Sequence, residues 1–243
     1  MTISNNDLKK YSSLNRKIKR KEYQLFVVEG EKICKELLKN DFEFESIFAT
    51  EDLQNEFPLA TVCSRKEIAR ISHLKSPSNV IAICKIPTYK INNKDKKPLI
   101  FLDNVNDPGN LGTIIRTLDW FGYKHVFCSK NTVDCFNNKS VMSSMGSIFR
   151  INCHYIDFDE FQQLFPQHVT YGTSLNGENI DSLRLGTNSI IVIGNESNGI
   201  SKKIMDKLNN TIRIPGVGNA ESLNVSVATG IVLNELGKIN PQK

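Results

Sequence analysis

The stretch NVNDPGNLGTIIRT, residues 104–117, indicates the fold of this 243-residue chain, together with two later stretches. These are IVIGNESNGIS, residues 191–201, and IPGVGNAESLNVSVA, residues 214–228. Each stretch follows or contains an apolar, strand-like run, continues into a loop rich in Gly, Asn or Pro, and ends in a helix-like run. In α/β proteins such loops lie at the carboxyl ends of parallel strands and form ligand sites. We therefore expect the three loops to converge on one cleft.

Strand-like and helix-like runs also alternate along the rest of the chain. From residue 99 onward the alternation predicts an α/β domain with a mostly parallel sheet and helices on both faces. The first ninety residues predict a smaller α/β domain of about five elements. Between them the polar, lysine-rich stretch Pro87–Pro98 is bounded by prolines, as is typical of a linker. We predict domains at residues 1–90 and 98–243, with a linker at residues 91–97.

Composition excludes several classes of protein. No run of about 18 apolar residues is present that could span a bilayer, and residues 1–21 lack the apolar core of a signal peptide. We expect a cytoplasmic protein that does not bind membranes. The six cysteines form no CxxC pair, and the four histidines show no HExxH spacing. We therefore predict neither a metal site nor a disulfide framework.

The charge of the chain is concentrated at its beginning. The formal net charge is only +5, yet residues 1–21 hold seven basic residues and one acidic residue. Such a segment can neutralise the phosphates of a nucleic acid, although it can equally be a solvated helix face. The charge alone favours neither interpretation. The candidate nucleic-acid-binding residues are Arg16, Lys17, Lys19, Arg20 and Lys21.

The first stretch contains an arginine that faces away from the core. A predicted helix over Gly112–Phe121 places Ile114 and Leu118 on one face and Arg116 on the opposite one. An arginine in the first turn of a helix lies at the unfavourable end of the helix dipole, at a cost of about 0.3–1 kcal/mol. A bound anion would explain such a position, and an ordinary surface arginine is the alternative.

The second stretch is not a phosphate-binding loop of the GxxxxGK[ST] type. Gly194 and Gly199 have the right spacing, but Ile200 stands where the lysine is needed. The domain also lacks a GxGxxG loop, which disfavours a dinucleotide site. We expect Gly194 to let a ligand approach the backbone closely. Glu196 beside it is a candidate site residue or a solvated charge.

The third stretch leads into a final helix that is apolar on nearly every side, which predicts burial all round and a subunit interface. Ser222 and Asn224 are the polar exceptions at the start of this helix. Free backbone N–H groups and short polar side chains at a helix start can hold a ligand. A plain N-cap at Ser222 is the simpler alternative.

Taken together, the three stretches resemble the signature motifs of the SpoU-type (TrmH-like) RNA 2′-O-ribose methyltransferases of the SPOUT superfamily. SSMGSIFR, residues 143–150, is also typical of that family. FVVEGEKICKELL, residues 26–38, is similar to the family's N-terminal RNA substrate-binding domain, which resembles a ribosomal-protein fold. The resemblance covers nearly the whole chain.

The resemblance implies a fold, a reaction and a set of partners. The C-terminal domain would contain a deep trefoil knot, and it would form a homodimer with the active site at the subunit interface. The reaction would be methyl transfer from S-adenosylmethionine to a ribose 2′-OH of RNA, with no metal. Because the N-terminal domain resembles a ribosomal-protein module, we expect ribosomal RNA as substrate before transfer RNA; this is an argument by analogy.

The resemblance also implies roles for individual residues. The positions matching the family's catalytic residues are Asn110, Arg116, Glu196, Ser222 and Asn224. The methyl donor would be held largely by backbone contacts around Thr173, Gly194, Ile214 and Leu223. Arg116 matches the family's proposed base, but a guanidinium normally stays protonated. We therefore expect it to bind an RNA phosphate and stabilise the forming alkoxide.

Two other functions are compatible with parts of this pattern. One is a non-catalytic RNA-binding or assembly protein that keeps the SPOUT fold, which the intact set of polar site residues argues against. The other is a Rossmann-type enzyme acting on a small metabolite, which the missing GxGxxG loop and the basic N-terminal segment disfavour.

Overall fold

The computed structural model describes residues 3–91 and 97–239, and these residues form two compact units. The first unit comprises the described residues up to Thr88 together with Asp134–Arg150. The second comprises Tyr89–Val133 and the described residues from Ile151 onward. The chain therefore passes from one unit to the other three times.

The secondary structure alternates as expected. The helices are α1 (Asn5–Ser12), α2 (Lys17–Tyr23), α3 (Glu31–Lys39), α4 (Arg65–Ile71), α5 (Pro108–Trp120), α6 (Asn138–Ser144), α7 (Phe158–Leu164), α8 (Lys202–Met205) and α9 (Val225–Ile239). The strands are β1 (Leu25–Glu29), β2 (Phe44–Ala49), β3 (Thr61–Val62), β4 (Val80–Lys85), β5 (Leu99–Leu102), β6 (His125–Cys128), β7 (Asn152–Tyr155), β8 (Val169–Asn179), β9 (Ser189–Ile193) and β10 (Asn210–Arg213). Within the described ranges, no helix has the length and apolar character needed to cross a bilayer.

The first unit is built on a four-stranded mixed sheet of order β1-β4-β2-β3. β4 runs antiparallel to β1 and β2, and β3 runs parallel to β2. At the start of α4, the Ser64 side chain accepts the N–H of Glu67, and the Glu67 carboxylate accepts the N–H of Ser64. This reciprocal pair of hydrogen bonds is a capping box, which satisfies N–H groups that the first helical turn leaves free.

Arg20 is part of the interior of the first unit. Its side chain is only 3% exposed. Nη2 and Nε donate to Asp134 Oδ2 at 2.7 and 3.0 Å, and Nη1 donates to the carbonyls of Leu14 and Asn15 at 2.8 and 2.9 Å. The prediction that Arg20 contacts RNA is therefore wrong, because its guanidinium is buried and its donors are used within the protein.

Residues Asp134–Arg150 complete the packing of the first unit. The ring of Phe136 packs at a tilt against Phe26 with centroids 4.6 Å apart, and the centroid of the Phe149 ring lies 5.0 Å from that of Phe42. Beyond these rings, Arg150 Nη1 donates to a carboxylate oxygen of Glu36 at 3.1 Å. The first unit is thus assembled from two separate parts of the chain, which a contiguous division by sequence does not describe.

The second unit contains a six-stranded sheet of order β10-β8-β9-β5-β6-β7, and every pairing in it is parallel. The predicted mostly parallel sheet is confirmed. β5 and β9 are buried along their whole length, as expected for central strands covered on both faces. On one face their side chains pack into an aromatic core that includes Phe101, Phe127, Phe158, Phe161 and Phe165.

α5 begins four residues earlier than predicted. Asp107 is its N-cap and accepts the N–H of Asn110 at 2.9 Å, and Pro108 occupies the first helical position. Proline suits that position because its missing N–H would be unpaired there anyway. Arg116 consequently lies in the third turn, not the first, and the helix-dipole argument for a bound anion does not apply to it.

Candidate active site

The three loops singled out in the sequence lie at one edge of the parallel sheet. β5 pairs with β9, β9 with β8, and β8 with β10, all in the same direction. The loops that follow β5, β9 and β10 therefore leave the sheet at its carboxyl edge, the place where α/β proteins bind ligands. The predicted convergence on one site is what the topology produces.

A chain of hydrogen bonds joins the three loops. Asn110 Nδ2, at the start of α5, donates to Glu196 Oε1 at 2.9 Å. Asn224 Nδ2, just before α9, donates to Asn110 Oδ1 at 3.0 Å. Asn224 Oδ1 in turn accepts from the N–H and hydroxyl of Ser226 at 2.9 and 2.6 Å. The structure thus brings Asn110, Glu196 and Asn224 together.

The Glu196 carboxylate accepts several donors at once. Besides Asn110, the backbone N–H groups of Asn106 and Asp107 approach it at 3.4 Å, and Asn195 Nδ2 lies 3.2 Å from Oε2. A carboxylate at the start of a helix is also favoured by the helix dipole. Because a carboxylate only accepts hydrogen bonds, Glu196 is suited to orienting the amide side chains that donate to it.

Arg116 is exposed on α5, while Ile114 and Leu118 are buried on the opposite face, as predicted. Thr113 and Trp120 lie on the same exposed stripe at helical spacing. Within residues 3–91 and 97–239, the Arg116 guanidinium has neither an ion pair nor a hydrogen bond. An arginine in this state can bind an external phosphate through its planar set of donors.

Ser222 does not join the hydrogen-bonded chain. It is exposed in the irregular loop before α9, and within the described part of the chain it forms no hydrogen bond. The N-cap role that the sequence allowed for Ser222 belongs to Asn224, whose side chain accepts the N–H of Ser226 and whose carbonyl accepts that of Ala228.

Gly194 was expected to let a ligand approach the backbone, but the structure shows that it makes room for the protein's own chain. A Cβ at this position would lie 2.2 Å from the backbone of Gly199 and Ile200. The loop after β9 folds back on itself there, and Asn195 and Gly199 exchange backbone hydrogen bonds of 2.8 and 3.0 Å. The space beside Gly194 is therefore filled by the protein's own backbone, not left open to a ligand.

Three other residues are predicted to lie around the methyl donor S-adenosylmethionine, and their surroundings are suited to binding it. Thr173 lies on β8 and bonds to the Val192 carbonyl of β9 at 3.3 Å. Ile214 is half-buried directly after β10, and Leu223 is 47% exposed before α9. Among the described residues, the backbone of 215–223 makes no hydrogen bond to other backbone groups. Free amide and carbonyl groups beside apolar side chains are the chemistry that an adenine ring and an amino-acid group require.

Two histidines that are far apart in sequence meet in the second unit. His125 Nδ1 lies 2.9 Å from His154 Nε2 on the neighbouring strand, and the rings stack. Burial, with a smaller contribution from His125, lowers the pKa of His154 to about 4. Over the described ranges, no group of three or more His, Cys, Asp or Glu side chains could hold a metal ion.

The fold and the site define an α/β protein that gathers amides, a carboxylate and an exposed arginine at the carboxyl edge of a parallel sheet. Residues 97–234 match the model of the SpoU rRNA methylase family. The chain belongs to this family. Residues 5–82 match a second model, the MRM3-like substrate-binding domain.

Individual relatives agree with this assignment. The chain is 30% identical over 243 residues to the 23S rRNA (guanosine(2553)-2′-O)-methyltransferase RlmP of Bacillus subtilis, covering 97% of both chains. It is also 30% identical over 154 residues to the tRNA (guanosine(18)-2′-O)-methyltransferase of Aquifex aeolicus, covering 62% of this chain and 73% of the relative. Among solved structures, an S-adenosylmethionine-bound rRNA methyltransferase from Sinorhizobium meliloti superposes with a TM-score of 0.88 at 25% identity, covering 100% of this chain and 99% of the other.

Proposed function

We propose that this protein transfers a methyl group from S-adenosylmethionine to a ribose 2′-OH of RNA, with ribosomal RNA as the first candidate substrate and transfer RNA as the second. The observation that carries the proposal is the hydrogen-bonded chain from Glu196 through Asn110 to Asn224. It joins all three loops at the carboxyl edge of the parallel sheet. The full-length relative from Bacillus subtilis, named for a 23S rRNA, supports the preference for ribosomal RNA.

The residues present can meet the demands of this reaction. Bound S-adenosylmethionine supplies an already activated methyl group, so alignment of the ribose hydroxyl is the main task left to the protein. Asn110 and Asn224, held by Glu196, offer fixed amide groups at the site. Ser222 lies two residues before Asn224 and can reach a ligand from the same loop. Arg116 can hold an RNA phosphate and stabilise the developing alkoxide.

The first unit offers a basic surface for RNA. Arg16, Lys17 and Lys21 are exposed on and beside α2, whereas Lys19 donates to a carboxylate oxygen of Glu22 at 2.6 Å. Exposed cations of this kind neutralise phosphates without reading sequence. We assign RNA binding to Arg16, Lys17 and Lys21, with Lys19 in a lesser role, and place substrate binding in residues 1–90 and catalysis in residues 98–243.

The proposal includes a homodimer formed by the second unit. α5 packs against α9, and the two helices expose apolar side chains: Trp120 is 86% and Val227 51% exposed. A groove of about 370 Å³ beside Trp120 is lined by Tyr123, Leu233 and Leu236. Exposed apolar surface of this kind is typical of interaction sites. A second copy of this chain is the occupant we propose, with a trefoil knot in each subunit and a cytoplasmic location.

The decisive experiment is a methylation assay with the purified protein, tritiated S-adenosylmethionine and total RNA from a strain lacking the protein. Ribosomal and transfer RNA are separated after the reaction. A 2′-O-methyl group blocks alkaline cleavage, so the expected result is label in alkali-resistant dinucleotides from ribosomal RNA. The label should disappear with Arg116→Ala.

Other outcomes have distinct meanings. Label only in transfer RNA would correct the substrate class. If the protein binds S-adenosylmethionine but labels no naked RNA, the same assay is repeated on ribosomal subunits. Absence of label in the subunits as well would contradict the proposed reaction. A protein that binds RNA but not the donor would be a non-catalytic member of the family.

A further inference from the structure

The Glu196 carboxylate is held by a neighbouring residue that sequence reasoning did not single out. Asn195 Nδ2 donates to the backbone carbonyl of Asn104 at 2.7 Å and to Glu196 Oε2 at 3.2 Å. Its Oδ1 accepts the backbone N–H groups of Ser197 and Asn198 at 2.9 and 3.0 Å. One side chain therefore closes the turn after β9, ties that turn to the loop after β5 and contacts the carboxylate.

The partner of Asn195 in the first loop has an unusual backbone. Asn104 has a φ of +55°, in the left-handed region that residues other than glycine seldom adopt. Its N–H donates to Ser129 Oγ at 2.9 Å while its carbonyl accepts from Asn195. Asparagine tolerates this conformation better than most other residues, and the hydrogen bonds with Ser129 and Asn195 fix it here. The Asn195 amide is one of the groups that hold it.

The orientation of the Asn110 amide depends on Glu196. A side-chain amide has a donor end and an acceptor end, whereas a carboxylate only accepts. Glu196 therefore turns Nδ2 of Asn110 toward itself, which leaves Asn110 Oδ1 to accept from Asn224. If the carboxylate moved, Asn110 would lose the contact that selects its orientation, whereas Asn224 would still accept the N–H of Ser226.

We propose that Asn195 is a positioning residue for the methyl transfer, acting through Glu196 and Asn110. The inference rests on the proposed function. Asn195 donates to Glu196 Oε2, the oxygen that the Asn106 N–H also approaches. Within the described ranges, Asn110 is the only other side chain that donates to this carboxylate. Loss of the Asn195 donor should therefore leave the site assembled but the Asn110 amide poorly oriented.

The substitution Asn195→Asp removes the donor but keeps the turn after β9. Aspartate keeps an oxygen that can accept the N–H groups of Ser197 and Asn198, but the acceptor that replaces Nδ2 opposes both Glu196 and the Asn104 carbonyl. We expect kcat to fall by about tenfold to a hundredfold, with KM for RNA and Kd for S-adenosylmethionine within about twofold of wild type. Asn198→Asp is the matched control, since Asn198 is exposed in the same loop and gains the same charge. It should retain the wild-type kcat.

A double-mutant cycle with Asn110→Ala tests the route of the effect. If Asn195 acts through Asn110, Asn195→Asp should cause little further loss of kcat in the Asn110→Ala background. All variants are compared at a temperature where thermal melting shows them folded. Additive losses would instead assign Asn195 to loop stability and overturn the proposal, as would equal kcat values for Asn195→Asp and Asn198→Asp. An inactive wild-type protein would contradict the proposed function and not this inference alone.

Discussion

At the scale of single residues, Arg116 is the side chain whose chemistry can be separated most clearly from its packing. It is exposed, so its replacement should not disturb the core, and any loss of activity will report on contacts with substrate. Its planar guanidinium can bind a phosphate with two parallel hydrogen bonds, which the single ammonium of a lysine cannot do.

We predict that Arg116→Ala lowers kcat by roughly 10²-fold or more and that Arg116→Lys restores only a minor part of it. The measurement is single-turnover methylation of ribosomal RNA at saturating S-adenosylmethionine. Arg184, another exposed arginine of the second unit, supplies the control, because Arg184→Lys should keep the wild-type rate. Near-full turnover by Arg116→Lys would exclude a role that depends on the guanidinium fork.

His154 should make the stability of the protein depend on pH. Its pKa is about 4 in the folded protein against an ordinary value of 6.5, so the unfolded chain binds a proton more readily between these values. The contribution of the neutral His154 ring to the free energy of unfolding is therefore fully present above pH 6.5 and is lost as the pH falls toward 4. The contribution is on the order of 1–3 kcal/mol.

We expect His154→Gln to flatten this dependence. Urea unfolding at pH 7, 5.5 and 4.5 gives the free energy of unfolding of both proteins. The difference in free energy of unfolding between wild type and variant should shrink or change sign as the pH falls. A variant with the same slope as wild type would show that other groups set the acid limit.

The sequence provided candidate site residues but not their partners. Asn224 stands out as a polar residue at the start of an apolar helix, whereas Asn110 and Glu196 match catalytic positions of the family that the chain resembles. Their contacts join residues 86 and 114 positions apart, which no local pattern contains. Arg20 was misplaced for the same reason: its basic neighbours suggested a surface, whereas its partner Asp134 lies 114 positions away.

At the scale of elements, the alternation of strands and helices was predictable because each has its own hydrophobic period. The start of α5 was not, because Asp107-Pro108 is compatible with a turn as well as with an N-cap followed by a first-turn proline. The β8 strand is unusually long and extends to Asn179. Its pairing with β10 shifts register between Thr211 and Ile212, an irregularity without a sequence signal.

The placement of residues Asp134–Arg150 in the first unit should depend on the buried Arg20–Asp134 pair. We predict that Arg20→Met lowers the free energy of unfolding by about 3 kcal/mol or more, because Asp134 would keep its charge without a partner. Chemical denaturation monitored by circular dichroism gives the value.

Arg16→Met is the comparison for this prediction, since Arg16 is exposed in the same basic segment. It should change stability by no more than about 0.5 kcal/mol while weakening RNA binding. Equal stabilities for Arg20→Met and wild type would mean that the buried pair contributes little to the unit.

At the scale of the whole molecule, the exposed apolar surface of α5 and α9 bears on the proposed dimer. Trp120 is the largest of the exposed apolar side chains there, and tryptophan is among the residues that contribute most to protein interfaces. Arg116 and Trp120 lie one helical turn apart on the same stripe, so a partner that covered Trp120 would lie beside the proposed phosphate contact.

We predict that Trp120→Ser raises the dimer dissociation constant about 30-fold or more, which corresponds to roughly 2 kcal/mol. Analytical ultracentrifugation over a concentration series measures it. Leu59→Ser is the control, because Leu59 is 68% exposed in the first unit and is not expected at the interface. An unchanged dissociation constant would place the dimer contact elsewhere, and a wild-type protein that sediments as a monomer would refute the dimer.

Because the chain crosses three times between the two units, only certain segments can be exchanged with a relative to make a chimera. A chimera that exchanged only residues 1–88 with a relative would import new neighbours for Asp134, Phe136 and Phe149 without importing the residues they pack against. A chimera that keeps the core of the first unit intact must therefore exchange residues 1–88 together with residues 134–150. For the same reason, a chain divided near residue 94 should behave as a complementing pair, since the second piece carries part of the first unit's core.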